Sequence, residues 1–134
     1  MNATPFQQLV EAAASQPEQQ VLLFVFAAAE LPDDATPAQR ARYEAGAGGS
    51  LTPLMCVEKP LDELSTFDAL VRESRQAGPP WQVVFTAGLA GTGGQPPTAG
   101  MVDAALKTMV ERVKNGAVEQ LLALSAEGEL LSFV

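Results

Sequence analysis

The residues best placed to do chemistry lie in the glycine-rich run Gly88-Leu-Ala-Gly-Thr-Gly-Gly94, followed by Gln95-Pro96-Pro97 and Thr98. A strand-to-helix loop of this kind exposes unpaired backbone N–H groups, and glycines let a phosphate come close to them. Gly91, Thr92, Gly93, Gly94 and Thr98 are therefore the candidate ligand-binding residues. The run departs from both stringent motifs. No lysine follows, as a P-loop requires, and in Gly91-Thr-Gly93-Gly-Gln-Pro96 a proline stands where the dinucleotide pattern has its last glycine. The competing reading is a flexible surface loop.

Glu30, Asp33 and Asp34 cluster at the exit of an earlier apolar segment, where carboxylates could hold Mg²⁺ or Ca²⁺. The EF-hand spacing is missing, and solvated turn acids explain them equally, so no metal site is assigned. Arg72 and Arg75, three apart, share a helical face and could meet a carboxylate or phosphate; ion pairs with Asp68 or Glu73 are the plainer use. Arg40 and Arg42, two apart, do not share a face. Trp81 follows a proline pair and reads as a core or rim anchor, with a partner interface as the alternative.

The chain has no histidine, which removes Ser-His-Asp and Cys-His catalysis and His-ligated metals. Cys56 is the single cysteine, so no intrachain disulfide and no multi-thiolate metal centre can form. It lies within Leu54-Met-Cys-Val57 and reads as a small buried hydrophobe. No catalytic residue and no cofactor emerge from this inventory.

The net charge of -8 argues against nucleic acid and anionic membranes as partners. Its placement is uneven. Glu11, Glu18, Glu30, Asp33 and Asp34 are unmatched by any base in residues 1–34, as are Glu119, Glu127 and Glu129 in residues 119–134, whereas the middle of the chain is balanced. The start lacks a basic leader, and the apolar stretch Val21 to Ala29 is far below the ~20 residues that span a bilayer, so a cytoplasmic location is expected.

These residues need a scaffold. Thr4-Pro5 caps a first helix running to about Ser15, with Phe6, Leu9, Val10 and Ala13 on one stripe. Val21 to Phe26 is continuously apolar and reads as a strand buried on both faces. Thr36-Pro37 opens a second helix to about Ala45, broken by Gly46 to Gly49, before a strand from Leu51 to Val57 in which Pro53 suggests an edge. Ser65 or Thr66 caps a third helix, closed by Gly78-Pro79-Pro80, and Trp81 to Ala87 forms the next strand. The longest helix follows, from about Thr98 to Asn115, with Gly116 behind it. Val118 to Leu124 and Leu130 to Val134 read as a closing hairpin. Such alternation predicts a single α/β domain with a mixed sheet of four or five strands and about four helices.

An internal duplication is also indicated. Phe6-x-x-Leu9-Val10 matches Phe67-x-x-Leu70-Val71, and Leu22-Leu23-Phe24 matches Val83-Val84-Phe85, both at an offset of 61 residues. Any two amphipathic helix–strand units would share some of this likeness.

The runs Leu22-Leu-Phe-Val-Phe-Ala, Glu30-Leu-Pro-Asp-Asp-Ala-Thr-Pro-Ala-Gln-Arg-Ala-Arg42, Thr52-Pro-Leu-Met-Cys-Val-Glu-Lys59 and Glu73-Ser-Arg-Gln-Ala-Gly-Pro-Pro-Trp81 together resemble a family of short uncharacterised proteobacterial proteins. The resemblance covers nearly the whole chain. Some members carry the label ribonucleotide reductase subunit alpha, which would imply a link to nucleotide reduction. The large subunit of that enzyme uses a thiyl-radical cysteine and a separate cysteine pair, and no functional residue transfers to this chain. A looser, pattern-level resemblance to SseB-like α/β domains rests on Leu51-Thr-Pro-Leu-Met and the following helix with Phe67, and it implies the fold.

Two functional expectations follow. The first is a non-catalytic binding module that associates with itself or with another protein, since catalytic residue types are missing and apolar content is 47% beside 18% charged; the C-terminal strand Leu130 to Val134 offers an edge for a homodimer. The second is a small-molecule or nucleotide-binding protein using Gly91 to Gly94, with Glu30 or Asp33 as chemical groups.

Overall fold

In a computed structural model, residues 4–30, 36–38, 50–64 and 66–131 are described. Helix α1 (Pro5–Ala14) begins at Thr4, whose hydroxyl accepts from Gln7 N while the Gln7 side chain accepts from Thr4 N. Two of the N–H groups left free by helix geometry are thereby satisfied. Strand β1 (Gln20–Glu30) follows, then β2 (Ser50–Pro60) and a single 3-10 turn at Leu61–Glu63. Helix α2 (Phe67–Ala77), capped by Thr66, leads to β3 (Val83–Ala90); α3 (Ala99–Lys114), capped by Thr98, leads to β4 (Leu122–Ser125).

The four strands lie in the order β2-β1-β3-β4, and every pairing is antiparallel. The α/β domain is as expected, but its sheet is antiparallel rather than mixed. The physical reason is the crossover through α2. It carries the chain past β1, so the co-directional strands β2 and β3 are separated by β1 and never become neighbours.

Between its polar ends, Gln20 and Glu30, strand β1 is continuously apolar because helices cover both sides of it. Leu22, Phe24 and Phe26 face α1 and α2, together with Phe6, Leu70, Trp81, Val84 and Leu124. Val21, Leu23, Val25 and Ala27 face α3, with Phe85, Val102, Met109 and Val113. Phe24, Val25, Val84 and Phe85 are fully buried. At ~25 cal/mol per Å² of apolar surface, side chains of this size each contribute about 1.5–3 kcal/mol, so the central pair β1/β3 dominates the core.

Several expected boundaries shift. The last strand is shorter than Val118 to Leu124. Gly116, at φ +73, terminates α3, Ala117 N donates back to Arg112 O at 2.9 Å, and Leu121 N donates to Val118 O at 3.0 Å, so residues before Leu122 belong to turns. Of the closing hairpin, a Leu124–Leu130 bridge around the turn Ser125–Glu129 is seen, and Ser132 to Val134 lie outside the described residues. Pro37 and Ala38 are helical, while the rest of the second expected helix and Gly46 to Gly49 lie outside the described residues.

Cys56 is exposed, contrary to its expected burial. It faces Val25 across the ladder, but β2 is the outermost strand. An apolar run at a sheet edge is not covered as the same run is in the interior.

Candidate functional site

The glycine-rich segment forms a tight turn rather than an open cradle. Gly93 (φ 59) and Gly94 (φ 77) occupy the centre of a turn closed by the Thr92–Gln95 bridge, with Gln95 N donating to Thr92 O at 3.0 Å. Two consecutive positive φ values suit this hairpin turn and favour glycine at both positions. The turn is docked on the segment entering β1: Gly91 N donates to Gln19 O at 2.8 Å, and Gln19 Nε2 donates to Gly94 O at 3.1 Å. Gly94 N donates to the Glu18 carboxylate at 3.1 Å, which places a negative charge where an anionic ligand would approach. Gly91 is needed for a different reason, since a β-carbon there would overlap the Gln95 carbonyl oxygen. Thr98 lies beyond Pro96 and Pro97, and its hydroxyl accepts from Met101 N at 3.2 Å as the cap of α3.

Of the three clustered carboxylates, Asp33, Asp34 and the side chain of Glu30 lie outside the described residues, as do Arg40 and Arg42. Arg75 stacks over the Trp81 ring, 5.2 Å from its centroid, so the Arg72/Arg75 face is partly committed to packing. Glu73 pairs with Lys59 of β2 at 2.8 Å. Trp81 is buried, donating from Nε1 to Ser74 Oγ at 2.7 Å and packing on Phe26 at 5.0 Å between centroids.

A different place gathers surface-accessible features. A groove of about 1010 Å³ runs between the N-terminal ends of α1 and α2 and the C-terminal turn. Its apolar lining comes from Pro5, Phe6, Val10, Phe67 and Leu130. Phe6 and Phe67 meet at 5.3 Å between ring centroids. Leu130 is 59% exposed and its neighbour Leu131 37%, the two large hydrophobic side chains most open to solvent among the described residues.

The groove carries charge of one sign. Glu11, Asp68, Glu127 and Glu129 line it, and among the described residues no lysine or arginine does. All four are exposed. The turn bearing two of them is held in shape by Ser125, whose hydroxyl accepts from Glu127 N and Glu129 N, both at 3.2 Å. Gly128, at φ +83, seats the turn against Phe67: a β-carbon there would come 3.4 Å from Phe67 Cδ2. The Thr4 and Thr66 hydroxyls at the helix starts each accept from their own helix, at 3.1 Å from Gln7 N and Ala69 N.

This site was missed in the sequence, although one signal pointed to it. The unmatched acidity of the two chain ends is brought together here, Glu11 from one end and Glu127 and Glu129 from the other.

A second hollow of about 710 Å³ lies by Glu18, Glu58, Asp62, Glu63 and Pro96. Among the described residues no cluster of three or more potential metal ligands occurs, no buried side-chain polar atom lacks a partner, and no helix is long and apolar enough to cross a membrane. No protein-family model, curated protein or solved structure matches the chain.

Proposed function

We propose that this protein is a non-catalytic interaction module that receives a segment of another protein in the groove between α1, α2 and the 125–130 turn. The observation that carries this reading is the adjacency of an apolar groove and two open leucines, Leu130 and Leu131. Exposed apolar surface of this kind is costly in a free chain and is typical of a binding patch. The rigid surroundings favour the same use, because both helix starts and the turn are locked by side-chain caps. A preformed groove spares a ligand part of the ordering cost of binding. The partner is a different protein rather than a second copy, because two copies would each bring a net charge of -8 to a carboxylate-lined surface.

Site-specific photocrosslinking tests this. A photoreactive residue replacing Leu130 is expected to crosslink one discrete partner in the native host, and that partner, once purified, to bind the wild-type protein at micromolar concentration. The same probe replacing Cys56, on the outer strand, is expected to give no such product. Crosslinking between copies of the chain, or equal products from both positions, would overturn the reading.

A further inference from the structure

Resting on that interaction reading, we infer that the segment bound in the groove is basic and amphipathic: apolar side chains on one side, lysines or arginines along its margins. The apolar component follows from the lining, in which Phe67 and Leu130 offer contact area. The basic component follows from charge. The carboxylates of Glu11, Asp68, Glu127 and Glu129 border this lining, with no lysine or arginine beside them among the described residues. The opposing influence is the positive end of each helix macrodipole, about half a charge apiece. Two such ends amount to roughly one positive charge against four carboxylates, and the hydroxyl caps already take up part of the exposed N–H groups. The local field is therefore negative.

A segment with acidic margins would face repulsion on both walls. One with uncharged margins would gain the apolar contact alone. A basic segment gains both, and it associates faster because the field steers it.

The test uses the full chain and three synthetic peptides of one amphipathic pattern, with leucine on the apolar side and lysine, glutamine or glutamate on the polar side. Binding is followed by anisotropy and by amide NMR shifts. The leucine/lysine peptide is expected to shift Asp68, Gly128 and Leu130, to bind roughly tenfold or more tightly than the glutamine version, and to weaken as salt rises. Replacing Glu127→Gln and Glu129→Gln together should weaken it roughly three- to tenfold, while Glu58→Gln with Glu63→Gln, in the other hollow, should leave it unchanged.

Equal loss from both pairs of substitutions would show nonspecific attraction to an acidic protein and overturn the inference. Equal, salt-independent binding of the lysine and glutamine peptides at the groove would overturn the charge requirement and leave the groove reading standing. Absence of groove shifts with all three peptides would overturn both.

Discussion

Phe6 at the start of α1 and Phe67 at the start of α2 pack against one another, ring centroids 5.3 Å apart and planes tilted by 53°. They are also the residues that match at an offset of 61 in the sequence. The central strands obey the same relation. Val25 pairs with Phe85 and Phe24 with Thr86, so a residue and its counterpart 61 positions on exchange places across the β1/β3 ladder. With β2 and β4 outside this pair, the strand order is symmetric about the β1/β3 ladder. The edges break the symmetry, since β2 has 11 residues and β4 has 4.

Phe6 is 3% exposed, and Phe6→Ala is expected to cost about 3–5 kcal/mol. Phe67→Ala should cost less, because Phe67 is half-buried. A double-mutant cycle by urea unfolding should give a coupling of about 0.5–1.5 kcal/mol between the rings. Coupling near zero would mean that the contact is incidental.

Ser74 is the hydrogen-bond acceptor for the buried Trp81 indole, and it donates in turn to Val71 O at 2.7 Å. Ser74→Ala strands a buried N–H and should destabilise the fold by about 1–3 kcal/mol. Adding Trp81→Phe removes that donor, so the double variant should lose less stability than the two single losses summed. Additive losses in denaturant melts would contradict the assigned bond.

The glycine turn yields a graded prediction. Gly93→Ala and Gly94→Ala should each cost about 1 kcal/mol, the penalty for a side chain at positive φ. Gly91→Ala should cost more than either, because its β-carbon meets backbone that cannot swing aside. Thr98→Ala should cost about 1 kcal/mol and Thr98→Ser close to nothing, as expected of a helix cap. Thermal unfolding of the five variants checks the order.

Cys56 should react with a water-soluble thiol reagent in the folded protein without denaturant, at a rate that unfolding raises only modestly. Protection lifted only by denaturant would restore the buried reading. Cys56→Ser should cost under about 0.5 kcal/mol, as a surface substitution.

Much of this architecture was legible in short stretches of chain. Thr4, Thr66 and Thr98 cap the helices where a hydroxyl residue precedes the apolar stripe, and Gly116 stops α3 where it follows the stripe. The candidate site was much less legible. The glycine run drew attention by composition, but a turn that needs positive φ and a loop that cradles phosphate look alike until the partners of their N–H groups are known. The apolar run around Cys56 misled for a related reason, because edge and interior strands differ in what covers them and not in their own residues.

By itself, the sequence determined the starts of the helices, the double-sided burial of β1, the absence of histidine chemistry and the acidity of the chain ends. These follow from capping, periodicity and side-chain chemistry, which act within a few residues. The tertiary structure alone decided that β1 separates β2 from β3, that Cys56 lies on an open edge, and that Glu11 and Glu129 border one groove. Those relations join residues distant in the chain, and they depend on which strands become neighbours once both faces of the sheet are buried.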